Sequence, residues 1–368
     1  MSLSRRNVLA LVGGGTVIAA GSATAGFLAT RTPEKALAPW GLTGQYDDPR
    51  KNALSFALLA PNPHNIQPWL IELDGDDTVI VHRDENRGLP ETDPFDRQIT
   101  IGFGCFLEQM AIAASTVGLT VDAALFPDGD DGPVARCTFS SGGSPDALAA
   151  HIMERRSYKE TFDERQLSDN DVAPLREYAT MVVTADEVSN LKRIATDAWL
   201  VEMQTPAKLK ESIDLLRIGK AEVNANPDGI DLSGAFFDAL KFAGLASREA
   251  AMDPNDPNYQ QAVQGMVDAV ASASAFSVSV TAGNTRADQI QAGRDWLRLN
   301  LAATRAGIHI RPVSQALQEY SEVKEQYDAI HRLYAPDGGT VQMLGILGYG
   351  PQVPRTPRWP LEAKMMDA

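Results

Sequence analysis

The chain has 368 residues, 44% of them hydrophobic and 22% charged, an ordinary globular composition with room for two domains or one large duplicated domain. The formal net charge of −15 argues against a nucleic-acid partner, because phosphate backbones bind basic surfaces. The five histidines and two cysteines lack the spacing of zinc ligands, so no metal is expected. Cys105 and Cys137 lie in apolar or alternating runs and are predicted to be buried thiols.

Residues 1–29 have the pattern of an export signal. Arg5 and Arg6 form a twin-arginine pair, an apolar run follows at 8–20, and residues 23–25 match a small-x-small cleavage site. An ordinary tail with two arginines is the alternative. The apolar run is shorter than the roughly 20 residues of a spanning helix. We therefore predict a periplasmic or cell-envelope protein exported by the twin-arginine machinery, a route used by folded proteins that often carry a cofactor. Residues 30–49 are predicted to be a linker.

Residues 50–141 are predicted to form the first half of the folded chain. A helical run precedes a rigid turn at 60–69, in which three prolines fix the backbone, and strands and a long helix at about 102–117 follow. The turn contains Asn65 and Gln67, whose amides can donate and accept together. Such amides suit the ribityl hydroxyls and pyrimidine edge of a flavin, and backbone capping within the turn is the alternative. His64 is expected to be a bystander.

The long helix is repeated later in the chain at a constant offset of 189 positions (293 minus 104). The identities are Gly104, Ala113, Ala114 and Gly118 in the first copy and Gly293, Ala302, Ala303 and Gly307 in the second. Both copies end in glycine, the residue favoured after a helix, and then enter a β-like run. Chance similarity of two amphipathic helices is the alternative. We predict an internal duplication, with halves at 50–141 and 146–361 that pack as a pseudo-dimer in a monomeric chain.

The second half opens with a cluster of cationic and hydroxyl side chains. A helix is predicted at 145–155, and the cluster that follows from its end consists of Arg155, Arg156, Ser157 and Lys159. Forked guanidiniums and a point charge suit a phosphate monoester, whereas a solvated basic patch at a helix end is the alternative. Arg355 and Arg358, near the C-terminus, are candidate further donors.

Residues 224–260 interrupt the second half with two turn-rich segments around a short amphipathic run. Such an insertion is predicted to be a lid over a site, and a helical excursion over the side of the domain is the alternative. The sequence has no GxGxxG after a strand, no GxxxxGK[ST] and no GxSxG, which disfavours a dinucleotide fold, a P-loop and a serine hydrolase.

Two motifs resemble those of the FMN-dependent nitroreductase family. The run Arg155–Lys159 resembles the R-x-S-x-[RK] motif of that family, and Ala60–Trp69 resembles its A-P-S-x-x-N-x-Q-P-W turn. In ordinary members both motifs lie in one short subunit that dimerises, with the arginine motif first. Here the turn comes first, as in the Acg-like branch of fused dimers. The resemblance implies an α+β fold with a central antiparallel-rich sheet flanked by long helices, and one FMN at the interface of the halves.

The resemblance also implies roles for individual residues. The phosphate and ribityl end of FMN would be held by Arg155, Arg156, Ser157, Lys159 and Arg358, with Arg355 nearby, and the turn contacts would come from Pro61, Asn62, Asn65 and Gln67. No catalytic side chain is implied. The expected function is that of an exported flavoprotein oxidoreductase, which passes hydride or electrons from a small-molecule donor through flavin N5 to a nitro or quinone-type acceptor. The alternative is a flavin-sequestering or storage protein, in which the insertion covers the FMN and no turnover occurs.

Overall fold

The computed structural model describes residues 31–366, so the predicted export signal at 1–29 lies outside the described residues. The helices, numbered in chain order, are α1 Glu34–Leu42, α2 Pro49–Ala57, α3 Arg97–Ser115, α4 Asp169–Val172, α5 Ala185–Gln204, α6 Pro206–Asp214, α7 Gly219–Ala225, α8 Ala235–Phe242, α9 Arg248–Met252, α10 Pro257–Ser272, α11 Arg286–Arg305 and α12 Lys324–Tyr334. None of these helices combines the length and the apolar character that a membrane crossing requires.

The strands form two four-stranded antiparallel sheets and one short parallel pair within the described chain. The strands are β1 Trp69–Asp74, β2 Thr78–Arg83, β3 Leu119–Leu125, β4 Ala135–Ser141, β5 Thr180–Val182, β6 Leu216–Ile218, β7 Ile230–Leu232, β8 Ala275–Thr281, β9 His309–Pro312 and β10 Thr340–Gly348. The chain combines helices with antiparallel sheets, which confirms the predicted α+β class.

The two large sheets have the same strand order. The first is ordered β1-β2-β4-β3 and the second β5-β8-β10-β9, with every neighbouring pair antiparallel. Taken in sequence, each sheet therefore places its fourth strand between the second and the third. In both sheets the long helix, α3 or α11, connects the second strand to the third. This shared order supports the predicted duplication, which stays a prediction.

Helices α3 and α11 pack against each other at the two glycines of the repeat. A Cβ added to Gly104 would overlap the carbonyl oxygen of Ile290, and one added to Gly293 would overlap that of Ile101. The added atoms would also lie 2.9 Å from the Gly293 Cα and 2.8 Å from the Gly104 Cα, respectively. The contact is reciprocal, as a two-fold relation between the helices requires. Only glycine allows the two backbones to approach this closely.

Two sequence predictions of local structure are wrong. Residues 34–42 of the predicted linker form helix α1, even though Pro39 withholds one N–H, because burial of Ala36, Pro39 and Trp40 compensates. The predicted helix at 145–155 is only a short 3-10 turn, Ala147–His151. The chain then extends, because Ser157 pairs with Ile310 at the free edge of β9.

Other elements agree with the sequence predictions. Strands β1 to β4 lie in the first half, and α3 and α11 are the two copies of the repeated long helix. Cys105 and Cys137 are buried free thiols, as predicted. The insertion at 224–260 is mostly helical. It contains the end of α7, strand β7, helices α8 and α9, and the first residues of α10.

Candidate functional site

The turn at 60–69 has an unusual backbone. His64, Asn65 and Gln67 have positive φ angles of 47°, 54° and 51°, respectively. A non-glycine residue in this region is uncommon and carries a conformational cost, so the surrounding contacts must stabilise it. One such contact is internal, since the Asn62 carboxamide oxygen accepts from the Gln67 backbone N–H over 2.8 Å. Pro61 is partly exposed at the start of the turn.

The amides of the turn bind other parts of the protein. Asn65 accepts from the Arg358 guanidinium at Oδ1 over 2.8 Å and donates from Nδ2 to the carbonyl of Pro357 over 3.2 Å. Gln67 is completely buried. Its side chain donates to the carbonyl of Pro227 over 2.7 Å and accepts from the backbone N–H of Trp359 over 2.9 Å. Asn62 therefore caps the backbone of the turn, Gln67 connects the turn to Pro227 and Trp359, and Asn65 orients Arg358.

Two guanidiniums from distant segments meet at the end of helix α2. Arg155 donates from Nη2 to the Leu59 carbonyl over 2.9 Å. Arg358 donates from Nε to the Leu58 carbonyl over 2.8 Å and from Nη2 to the Leu59 carbonyl over 3.1 Å. The last carbonyls of a helix have no partner within the helix and carry partial negative charge, so this location favours cations. The arginine motif, the C-terminal segment and the turn are thus adjacent.

The cations gathered here have no carboxylate partner. Arg155 and Arg358 are each 3% exposed, and within residues 31–366 no carboxylate forms an ion pair with Arg155, Arg156, Arg355 or Arg358. The Nε and Nη1 atoms of Arg155 and the Nε of Arg156 are buried without a hydrogen-bond partner. Buried charges are normally paired, because unpaired ones lose their hydration.

The pKa values of these arginines reflect the same excess of positive charge. Burial, followed by the neighbouring Arg155 and Arg156, lowers the pKa of Arg358 well below its ordinary value. Burial likewise lowers the pKa of Arg155 and, together with Arg355, that of Arg156. Guanidiniums keep their protons in proteins, so these directions measure the cost of concentrating positive charge. Such a concentration of positive charge is the electrostatic character of an anion site.

Trp40 of helix α1 is part of the cluster, although the sequence analysis missed it. Its ring centroid lies 4.7 Å from the guanidinium carbon of Arg156 and 5.1 Å from that of Arg355. The indole N–H donates to the Thr356 carbonyl over 2.8 Å, and the residue is 3% exposed. A single tryptophan in a segment rich in proline and glycine gives no local signal of this role.

Tyr158 fixes the position of segment 157–159. This ring is fully buried and stacks between Phe162 and His309, at centroid distances of 5.0 Å and 4.6 Å. The backbone N–H of Tyr158 donates to the Ile310 carbonyl over 3.0 Å. Ser157 and Lys159, on either side, are therefore held in an extended conformation beside β9.

The charge of Lys159 acts on His64 of the turn. The Lys159 side chain is solvent accessible. The surrounding protein nevertheless displaces water from its ammonium group, and this desolvation lowers the pKa of Lys159. Arg311 and Arg358 lower the pKa further, whereas Asp231 raises it. Burial and then Lys159 lower the pKa of His64 to about 4, so its imidazole is neutral at physiological pH. His64 is therefore closer to the cationic cluster than its expected bystander role suggests.

Asp228 joins the insertion to the turn. Its carboxylate accepts from Arg87 over 2.6 Å, from Arg217 over 2.7 Å and from the Trp359 indole N–H over 2.9 Å. Burial opposes ionisation, but these hydrogen bonds hold the pKa of Asp228 below its usual range. The next residue, Gly229, donates to the Asn65 carbonyl over 3.1 Å. The start of the insertion therefore lies directly against the turn.

Other concave or chelating features do not coincide with this cluster. Two clefts of about 410 Å³ each lie elsewhere, one between residues 176–180 and 278–295 and the other around 284–289. Within the part of the chain that the structure describes, no group of three or more His, Cys, Asp or Glu side chains could hold a metal ion.

Sequence comparison relates the chain to mycobacterial proteins. It is 25% identical over 327 residues to the "Putative NAD(P)H nitroreductase Rv3131" of Mycobacterium tuberculosis, which covers 84% of this chain and 88% of that protein. It is 30% identical over 171 residues to the "Putative NAD(P)H nitroreductase acg" of the same organism, covering 45% of this chain and 49% of that protein. The chain is similar to nitroreductases in sequence. No family model matches it.

Comparison with solved structures gives weaker similarity. The structure of a "putative nitroreductase" from Anabaena variabilis covers 86% of this chain and 91% of its own, with a TM-score of 0.47 and 11% identity. The FMN-dependent nitroreductase NfnB of Mycobacterium smegmatis, solved with NADPH, covers 60% of this chain and 98% of its own, with a TM-score of 0.34 and 16% identity.

Proposed function

We propose that this chain is an FMN-dependent oxidoreductase of the nitroreductase family, with the FMN phosphate bound by Arg155, Arg156, Arg355 and Arg358. One observation carries the proposal: these cations are concentrated and partly buried at the turn without a carboxylate partner. The free donors on Arg155 and Arg156 fit a phosphate, which accepts forked hydrogen bonds from guanidinium. The similarity to mycobacterial proteins named as nitroreductases supports the same assignment.

The other predicted residues have distinct roles in this proposal. Ser157 and Lys159 present a hydroxyl and a point charge from the extended segment beside β9. Asn65 keeps Arg358 oriented, whereas Asn62 and Gln67 maintain the strained shape of the turn. No residue is assigned an acid–base role. FMN supplies hydride or electron transfer through N5, and the protein binds it, orients it and limits solvent access.

The reaction partners follow from the relatives and from the predicted class. The mycobacterial names support a nicotinamide nucleotide as electron donor, and we propose a nitro or quinone-type acceptor. The shared strand order and the contact of Gly104 with Gly293 support a pseudo-dimer of halves 50–141 and 146–361 in a monomeric chain. The twin-arginine pattern supports export to the periplasm or cell envelope.

A flavin-sequestering or storage protein is the second candidate, and the insertion favours it. Gly229 and Pro227 bind the turn through backbone groups, and the buried carboxylate of Asp228, which lies between them, forms ion pairs with Arg87 and Arg217. An insertion held in this way could cover a bound flavin as a lid at 224–260 and prevent turnover.

The experiment that separates these functions begins with the absorbance spectrum and FMN content of the purified protein. One FMN per chain, with steady-state NADPH oxidation in the presence of a nitroaromatic compound or quinone, supports the oxidoreductase. Bound FMN without turnover with either acceptor supports sequestration. A colourless protein that binds no added FMN would contradict both proposals.

A further inference from the structure

Helix α1 lies outside both predicted halves but binds two segments around the cationic cluster. The backbone N–H of Ala36 donates to Asn224 Oδ1 over 3.1 Å, at the start of the insertion. The Ala36 carbonyl accepts from the Arg358 backbone N–H over 2.9 Å. The Trp40 indole N–H binds the Thr356 carbonyl. Helix α1 thus connects the insertion to the C-terminal segment that carries Arg355 and Arg358.

Trp40 contacts two guanidiniums of like charge. Arg156 belongs to the arginine motif and Arg355 to the C-terminal segment, so the indole ring connects two chain segments that repel each other electrostatically. The π face of an indole attracts a guanidinium, and this attraction increases where water is excluded. Trp40 is 3% exposed, so the contact is largely dry.

Three other tryptophans, two of them buried and one, Trp199, partly buried, make different contacts. Trp69 packs on Phe103 and Phe106, and Trp296 is 2% exposed in the apolar core beside Gly345. Trp199 donates its N–H to the Val263 carbonyl over 3.1 Å, much as Trp40 does to Thr356, but no cation of the described chain lies over its ring. Trp199 is therefore a natural control for Trp40.

We propose that helix α1 is a clasp on the phosphate site, in which Trp40 is a positioning residue that holds Arg156 and Arg355 toward a bound phosphate monoester. The identity of that ligand as FMN rests on the proposed function, but the phosphate chemistry can be tested separately. The clasp opens when α1 leaves Arg358 and Thr356, and ligand release requires this opening.

The proposal has a thermodynamic consequence. A phosphate group neutralises the repulsion between Arg156 and Arg355, so it stabilises the docked position of α1, and docked α1 in turn retains the phosphate. Removal of the ligand should therefore increase hydrogen exchange of the α1 amides, and removal of the Trp40 ring should accelerate ligand dissociation.

The test compares Trp40→Leu, Trp40→Phe and the control Trp199→Leu in the full chain. We measure the FMN dissociation rate, and hydrogen exchange of residues 34–42 with FMN, with inorganic pyrophosphate and without either. Trp40→Leu should release FMN at least about fivefold faster, whereas Trp40→Phe, which keeps a π face, should recover most of the loss. Trp199→Leu should leave the dissociation rate unchanged.

Two outcomes would overturn the clasp. The first is an FMN dissociation rate in Trp40→Leu equal to that of the wild type. The second is a hydrogen-exchange rate of the amides of residues 34–42 that neither FMN nor pyrophosphate changes. If Trp40→Leu does not fold, the exposed Arg355 provides the second variant, since Arg355→Gln removes one cation from the ring without touching the core. An unchanged FMN dissociation rate in Arg355→Gln would then count against the clasp.

The clasp and the proposed function fail in different ways. If the wild-type chain binds no FMN, the proposed function is wrong, and protection of residues 34–42 by pyrophosphate still supports the clasp. If the wild-type chain binds FMN and Trp40→Leu releases it at the normal rate, the proposed function stands and the clasp is wrong.

Discussion

Arg155 and Arg358 donate to the same acceptor, the carbonyl oxygen of Leu59, over 2.9 Å and 3.1 Å. A shared acceptor sets the two buried guanidiniums side by side, although like charges repel each other. This arrangement is costly in a protein without a ligand, because the remaining N–H donors of Arg155 have no partner. The pair therefore marks the place where we propose that an anion binds.

Removal of the arginine motif should abolish cofactor retention. We expect Arg155→Ala with Arg156→Ala to weaken FMN binding by about 10- to 100-fold for each guanidinium, since hydrogen bonds to charged groups contribute about 1.5–3 kcal/mol. Fluorescence titration with FMN and the flavin content after purification measure the loss. Arg193→Ala is the control, because Arg193 is exposed on α5 and pairs only with neighbours on its own helix. A fully flavinated double variant would contradict the site.

Loss of the Asp228 carboxylate should loosen the insertion. In Asp228→Ala the partly exposed Arg87 and Arg217 lose the carboxylate they share, but Arg87 keeps its ion pair with Asp84, so we expect a cost below the about 3–5 kcal/mol of a fully buried pair. We expect faster reduction of bound FMN by an external reductant such as dithionite, because the insertion no longer holds against the turn. Stopped-flow absorbance measures the rate. Asp214→Ala, which removes an exposed pair with Lys210, provides the control.

Unchanged reduction kinetics in Asp228→Ala would remove the lid hypothesis. Deletion of residues 226–259 is a less specific test, because it also removes Pro227 and Gly229, which bind Gln67 and Asn65. A deletion variant that fails to bind FMN would therefore report on the turn rather than on a lid.

Glu202 should make the protein less stable as pH rises through neutrality. Burial raises the pKa of this 2%-exposed side chain from 4.5 to about 7. The folded protein therefore binds a proton that the unfolded chain has released, so the stabilisation is complete below pH 4.5 and is lost as pH rises from 4.5 through about 7. Glu202→Gln should remove this slope and raise the melting temperature at pH 8. An unchanged pH dependence of unfolding would refute the assignment.

The two glycines at the helix contact should not tolerate a methyl group. Gly104→Ala or Gly293→Ala inserts a Cβ into the backbone of the opposing helix, and we expect a loss of unfolding free energy well above 1 kcal/mol, at the upper end of overpacking effects. Gly265→Ala in α10 is the matched control. Its added Cβ meets nothing within 4 Å, so helix propensity should stabilise it by about 0.5–1 kcal/mol. Chemical denaturation compares the three variants, and equal effects would contradict the contact.

Local pattern predicted much of the fold. Strand-like runs predicted β1 and β2, a helical run predicted α3, and the repeat of that run predicted α11, because these signals depend on residues close together in the sequence. The pattern was misleading for residues 34–42 and 145–155. Pro39 lies within a helix because burial compensates for its lost hydrogen bond, and residues near 157 extend because the edge of β9 provides a partner.

The sequence by itself determined which residues have the chemistry of a phosphate and flavin site: the guanidiniums of Arg155 and Arg358 and the amides of the turn. Only the tertiary structure decided how they are used. Gln67 binds Pro227 and Trp359, which are 160 and 292 positions away, and Trp40 reaches Arg355 from a segment that was predicted to be a linker. Partners so distant leave no periodic signal, because a contact between segments depends on the packing of the whole chain rather than on neighbouring residues.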